Sequence, residues 1–235
     1  MSLREGAVGA TALVPAAGSG DRFGGAKLWA DLSGQPVLAW VLQALGDPAS
    51  GIDELVVVID PKEHRRVMEL ASAAAPRLGC RCIEGGARRQ DSVAQGLRLC
   101  TREMVLVHDG ARPGVTAELC ATVLRAARKS GAATAYVPVA DSTARVRDDR
   151  LVEVLPRAEL GAIQTPQAFR RELLARAHRE ATAAGRDADD DAALVMALGE
   201  PVAAVMGDPR NLKVTRTEDI LALRSWLGHE AWARQ

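Results

Sequence analysis

With 235 residues, the chain can bury one sizeable core and carry at most a small appendage. Hydrophobic residues make up 48%, which excludes a disordered chain, and aromatics only 3%, which leaves the core to Val, Leu, Ile and Ala. Lys plus Arg and Asp plus Glu both number 30, so there is no general electrostatic case for binding nucleic acid or membrane, and any anion site must be assembled locally.

The N-terminus has no basic segment followed by a long apolar run, so no signal peptide is expected, and no stretch approaches a membrane span. Short apolar runs then alternate with helical patterns. Thr11–Pro15, Glu54–Asp60, Met104–Asp109, Ala132–Val139 and Val202–Met206 read as buried strands, and their near-continuous apolar character suits a sheet covered on both faces. Pro36–Leu45, Pro61–Ala74, Gln90–Cys100 and Thr116–Lys129 have helical spacing, with Pro36 and Pro61 at first-turn positions. Such alternation predicts a Rossmann-like α/β fold, a mostly parallel sheet flanked by helices in a single domain over 1–235. It breaks at Asp141–Pro156, where Asp148-Asp149 separates two short alternating runs, the pattern of a hairpin arm at about 141–157. Helices follow near Arg170–Ala184 and Asp190–Ala197, then the last strand and a helix near Thr217–Leu227.

Cys80 and Cys82 fall on one face of a further strand. No nearby histidine or cysteine turns Cys80, Cys82, Cys100 and Cys120 into a zinc set. They are expected to be small buried residues of a reducing compartment, and the protein to be cytoplasmic.

The first strand runs into Pro15-Ala16-Ala17-Gly18-Ser19-Gly20-Asp21-Arg22-Phe23-Gly24-Gly25-Ala26-Lys27. Small residues at Ala16, Ala17, Gly18 and Gly20 let backbone N–H groups approach an anion, at the strand end where open α/β sheets bind ligands. Arg22 and Lys27 add the positive charge. Phe23 breaks the dinucleotide pattern G-x-G-x-x-G, and Ala26 takes the lysine place of the ATPase loop G-x-x-x-x-G-K-[ST]. A second block, Gly85-Gly86-Ala87-Arg88-Arg89-Gln90-Asp91-Ser92-Val93, offers a glycine pair, two guanidinium groups and a first-turn hydroxyl, which suit the edge of a base and phosphates. Its ordinary alternative is a solvated loop capped by Asp91 and Ser92. In His108-Asp109-Gly110-Ala111-Arg112-Pro113, Asp109 stands at a strand tip where it can meet ribose, hydroxyls or a metal, and Arg112 can take a phosphate. His108 reads as a packed or capping histidine rather than a base. The acidic run Asp187–Asp191 is expected to cap a helix rather than hold a metal, and no protein metal ligand is assigned.

P-A-A-G-x-G-x-R followed by lysine resembles the opening signature of sugar-phosphate nucleotidyltransferases. Further blocks are similar to 2-C-methyl-D-erythritol 4-phosphate cytidylyltransferases of the non-mevalonate isoprenoid pathway: the Gly85–Val93 loop, His108–Pro113, Asp141-Ser142 with Arg157, Gln164-Thr165-Pro166-Gln167-Ala168-Phe169, and Asn211-Leu212-Lys213-Val214-Thr215. The resemblance runs from about Ala12 to Leu227. It implies transfer of CMP from CTP, accompanied by Mg²⁺ or another divalent cation, to the sugar-alcohol phosphate. Arg22, Lys27, Arg157 and Lys213 would be catalytic. Pro15, Ala16, Ala17, Gly18, Gly20, Gly86, Arg89, Ser92 and Asp109 would bind the nucleotide. Asp109, Arg112, Ser142, Arg157, Thr165 and Asp189 would bind the acceptor. It also implies a homodimer in which the arm completes the neighbour's pocket. Ala144 stands where the family commonly has lysine, and Asp189 where it has threonine. Ribitol 5-phosphate as acceptor, or a nucleotide-binding protein without turnover, are the alternatives.

Overall fold

A computed structural model describes residues 9–18, 23 and 26–230, with the side chains of 227–230 left aside. The chain opens with β1 (Ala10–Pro15), a short ribbon of β2 (Asp31–Leu32) and β3 (Gln35–Pro36), and α1 (Val37–Gly46). There follow β4 (Ile52–Ile59), α2 (His64–Ala74), β5 (Gly79–Glu84), α3 (Arg89–Leu97), β6 (Met104–Val107) and α4 (Ala117–Ser130). The second half holds β7 (Ala132–Pro138), β8 (Thr143–Arg147), β9 (Arg150–Leu155), β10 (Gly161–Arg170), α5 (Arg171–Ala183), α6 (Asp191–Met196), β11 (Ala203–Met206) and α7 (Thr217–Glu230).

Seven strands form the central sheet in the order β11-β7-β10-β6-β1-β4-β5. Every neighbouring pair is parallel except those made by β10, which runs antiparallel to both β6 and β7. The expectation of a mostly parallel sheet holds. Alternate residues of one strand feed opposite layers: Ala12 and Val14 pack toward α1, α2, α4 and α7, while Leu13 packs toward α3, α5 and α6. Leu55 and Val57 against Val56 and Val58 repeat the division on β4. Each fully buried Val or Leu contributes about 1.5–3 kcal/mol of transfer free energy, which is how a core with so few aromatics holds.

Local signals fix the helix ends. Thr116 accepts a hydrogen bond from the Leu119 N–H at the start of α4, and Gly131 ends that helix in the left-handed region at φ +89°. Pro36 is the residue preceding α1, not its first turn, and Pro61 opens a short 3-10 turn ahead of α2.

β10 was not predicted as a strand, and its direction follows from the arm. The chain leaves the sheet along β7, makes the β8–β9 hairpin and returns along β10. Gly161, Ala162 and Ile163 pair antiparallel with Pro138, Val137 and Tyr136 at the stem. At the tip Asp148 and Asp149 have φ of +47° and +57°, both left-handed, as a two-residue hairpin turn of matching twist requires. The arm forms its own two-stranded sheet, with Val146, Leu151, Val152 and Val154 exposed by 55–72%. Among the described residues, no helix is long and apolar enough to cross a membrane.

Candidate active site

At the carboxyl ends of β1 and β6 lies a cleft of about 410 Å³, walled by three of the blocks above and by Lys213. Pro15, Ala16, Ala17 and Gly18 form one wall, with Lys27 and Leu28. Gly86, Ala87, Arg88, Arg89 and Ser92 form the facing wall, and Asp109, Gly110 and Ala111 lie between them. The expectations for Gly20 and Arg22 fall outside the described residues.

The two walls come together at Gly85 and Ala17. A Cβ built on Gly85 would overlap the Cβ of Ala17, so only glycine permits this approach. Beyond Gly85, the Ser92 hydroxyl accepts from the Gly86 N–H and donates to the Arg88 carbonyl, both at 3.1 Å. Asp91 accepts from the Arg88 backbone N–H at 3.2 Å and from its guanidinium at 2.7 Å. The capping alternative for Asp91 and Ser92 therefore holds locally, while Ser92 still faces the cleft. Arg88, one of the two guanidinium groups expected to suit a base edge and phosphates, also lines the cleft.

Asp109 is the electrostatic centre. Its carboxylate takes Arg89 Nε at 3.0 Å, Lys213 Nζ at 2.8 Å and, more loosely, Arg112 Nε at 3.6 Å. Burial alone would raise its pKa; Arg89, Lys213 and Arg112 override this and hold the group well below the usual carboxylate range. Asp109 is thus ionised, and it keeps three cations together that would otherwise repel one another.

A buried polar layer under the cleft holds this centre. The backbone N–H of Asp109 donates to Thr165 Oγ1 at 3.0 Å, and that hydroxyl lies 3.1 Å from His108 Nδ1. His108 Nε2 lies 3.1 Å from the Arg112 carbonyl, which can only accept. The Nε2–H tautomer and a Thr165 hydroxyl donating to Nδ1 satisfy the whole chain. Burial pushes the His108 pKa down to about 4, so the ring is neutral. It is a packed histidine, as expected from the sequence, with no face on the cleft. Thr165 was expected at the substrate, but it lies beneath the cleft and props Asp109.

The 207–215 segment delivers Lys213. Asn211, fully buried, donates to the Thr165 carbonyl at 2.7 Å, and its own carbonyl accepts from Arg112 Nη1 at 2.9 Å. The Val214 N–H donates to the Ala111 carbonyl at 2.8 Å, and Val214 is buried. A lysine that an isolated sequence would place on the surface is anchored on both sides. Arg112 is spent on this scaffold and does not line the cleft.

Three further expected residues are not among those lining the cleft. Ser142 and Arg157 are exposed at the base of the arm, where Arg157 Nη1 donates to the Ala140 carbonyl at 3.1 Å. Asp189 is exposed ahead of α6. Its neighbour Asp190 caps that helix by accepting from the Ala193 N–H at 2.9 Å, as expected for the acidic run. Asp191 is different: it is buried and paired to Arg89 Nη1 at 2.8 Å. Sequence reasoning missed it because three consecutive aspartates give no sign of which one turns inward.

A strand-end loop of small residues, a second loop with a glycine pair, and cations gathered on one carboxylate define an α/β nucleotidyltransferase. Comparison with known proteins narrows the class. Residues 10–228 match the model of the 2-C-methyl-D-erythritol 4-phosphate cytidylyltransferase family. The enzyme of that name from Bacillus mycoides is 39% identical over 220 residues, 92% of this chain and 97% of its own length. That from Thermus thermophilus is 41% identical over 211 residues, 89% of this chain and 92% of its own. The crystal structure of a Thermus thermophilus enzyme of this name aligns with a TM-score of 0.76 at 38% identity, covering 93% of this chain and 98% of that one. A 4-diphosphocytidyl-2C-methyl-D-erythritol synthase from Anaerococcus prevotii aligns at 0.83 with 28% identity, covering 94% and 99%. The chain belongs to the 2-C-methyl-D-erythritol 4-phosphate cytidylyltransferase family, and the ribitol 5-phosphate alternative is not favoured.

Proposed function

We propose how the cleft carries out the family's reaction, transfer of CMP from CTP to 2-C-methyl-D-erythritol 4-phosphate in isoprenoid biosynthesis. A phosphate oxygen of the acceptor attacks the α-phosphorus of CTP. The bond from that phosphorus to the bridging oxygen breaks, and pyrophosphate leaves. A phosphate monoester is already anionic near neutral pH, so no general base is needed. The difficulty is to bring two anions together and to stabilise the in-line transition state, which is work for fixed cations.

Lys213, fixed by Asn211 and Val214 and 2.8 Å from Asp109, supports this reading best. It steadies the reacting phosphates while Lys27, with Arg22, takes the triphosphate. Pro15–Gly18 supply the backbone around the phosphates, and Gly86, Arg89 and Ser92 hold the cytosine side. Asp109 receives the ribose. Divalent metal arrives as part of the nucleotide substrate. Among the described residues that line the cleft Asp109 is the one carboxylate, and its oxygens already serve Arg89 and Lys213. Among the described residues no group of three metal-binding side chains occurs. That donor set suits an ion held mostly by phosphate oxygens and water.

Among the residues expected at the acceptor, Asp189 follows Asp187, which pairs with Arg88 of the nucleotide loop at 3.5 Å. Ser142 and Arg157, on the arm and outside the cleft lining, bind the acceptor only if the pocket is completed by a second copy of the chain. The apolar side chains left open on the arm suit that arrangement, since a lone hairpin has little core of its own. The four cysteines are free thiols, Cys100 and Cys120 buried as expected and Cys80 and Cys82 only half-buried on the edge strand β5, in keeping with a cytoplasmic enzyme.

Pyrophosphate release tests the reading. With CTP and 2-C-methyl-D-erythritol 4-phosphate the enzyme turns over, and ribitol 5-phosphate supports little activity. ATP, GTP and UTP are poor donors, because hydrogen bonding to a base edge rejects a base that leaves those groups unpaired. Turnover with ATP within a few-fold of CTP, or a preference for ribitol 5-phosphate, would overturn it.

A further inference from the structure

The loop that faces the nucleotide is braced from the far side of α3 by a chain of buried ionisable groups. Arg89, the first residue of α3, grips two carboxylates through different edges of its guanidinium. Nε donates to Asp109 Oδ1 at 3.0 Å and Nη1 to Asp191 Oδ2 at 2.8 Å. The second oxygen of Asp191 takes Nε2 of His178, on α5, at 2.9 Å. Asp191 is 1% exposed and His178 4%. Next to Arg89 in sequence, Gln90 ties the same region through its side chain, donating to the Arg186 carbonyl and accepting from the Ala188 N–H, both at 3.2 Å.

Stability does not require such a chain. Its surroundings on α5 and α6 are apolar (Leu174, Ala177, Ala181, Leu194 and Val195), and a buried ion pair can often be replaced by apolar side chains without loss. What it does is fix an orientation. A guanidinium held by one carboxylate can swing about that contact; held by two on different edges, it cannot. Burial raises the pKa of Asp191, but Arg89 and then His178 bring it below the ordinary value, so the carboxylate stays charged. Nη2 of Arg89 is buried and makes no hydrogen bond among the described residues, so the orientation of the fork rests on its Nε and Nη1 contacts.

We infer that Asp191, held by His178, is a positioning residue for the nucleotide: it locks the Arg89 guanidinium, and through Arg89 the carboxylate of Asp109, in the geometry that receives CTP. This rests on the reading of the cleft as the CTP site. Neither residue touches substrate, so both act through Arg89.

Three variants of the full-length enzyme test it: Asp191→Asn, His178→Leu and His178→Gln. Steady-state constants for each substrate are measured below each variant's own melting temperature. Asp191→Asn should raise KM for CTP roughly 10-fold, the scale for loosening one oriented contact, and leave KM for the acceptor within about twofold. His178→Leu should raise it by less, and His178→Gln, which keeps an N–H donor, should restore it. Should Asp191→Asn fail to fold, the Leu and Gln pair decides alone. Unchanged KM for CTP in folded variants, equal rises in both KM values, or no difference between Leu and Gln would overturn the inference, with the cytidylyl-transfer reading intact. A wild-type enzyme that does not use CTP would instead overturn both.

Discussion

The strand-end floor of the cleft and the β8–β9 arm are opposite solutions within one chain. In the floor, polar groups are buried and almost all have partners: Asp109 serves three cations, and Thr165, His108 and Asn211 close a hydrogen-bonded layer under it. In the arm, apolar side chains stand in solvent and Arg157 meets one backbone carbonyl. The floor is finished by its own chain. The arm leaves apolar side chains uncovered, and on the proposed reading a second copy of the chain covers them and shares the acceptor side of the pocket.

The sharpest way to break this comparison is through the cations. Lys27→Ala and Lys213→Ala should each lower kcat by roughly 10²-fold or more with the fold kept, the scale for one preorganised electrostatic group. Retention of most of the wild-type kcat in a folded variant would reduce that lysine to surface charge. Mixing asks whether the arm belongs to the neighbour. Subunits bearing Lys27→Ala, mixed with subunits bearing Arg157→Ala, leave one intact pocket in each mixed dimer, so activity should return to about a quarter of wild type. If subunits are seen to exchange and no activity returns, the arm acts on its own chain.

Smaller effects sharpen the floor side. Thr165→Val removes the acceptor for the Asp109 N–H and the donor to His108, and should cost about 1–3 kcal/mol in denaturant unfolding. A loss under half that would mean the layer is dispensable. The least conspicuous signature is in pH. His108 titrates near 4 when folded, against 6.5 as its ordinary value. Between those values the unfolded chain binds the extra proton, so His108 lowers stability as pH falls from about 6.5 toward 4, and contributes its full stabilisation above that window. His108→Gln should flatten this part of the stability profile. A slope identical to wild type would show that the ring is not held neutral.

The parallel half of the sheet was legible in sequence because its strands are buried on both faces and read as unbroken apolar runs, as in Leu55–Ile59 and Met104–Val107. β10 was not, because Gln164, Thr165 and Gln167 interrupt its pattern with buried polar side chains whose partners lie just beyond β6, on β7 and in the 207–215 segment. Within the site, the glycine-rich loops and Lys213 stood out as motifs. Asp191 and His178 did not, since inward-facing ionisable residues declare themselves only through partners distant in sequence.

Gly85 sets the gauge of the slot. Its missing methyl group lets two main chains, one on the phosphate side and one on the base side, close to contact at Ala17. Added there, that methyl would overpack the junction and wedge the walls apart, at a cost of about 1–3 kcal/mol. On the proposed reading, discrimination against larger bases then resides in the spacing of two backbones. It would persist through many exchanges of the side chains around it, and give way to a single carbon atom.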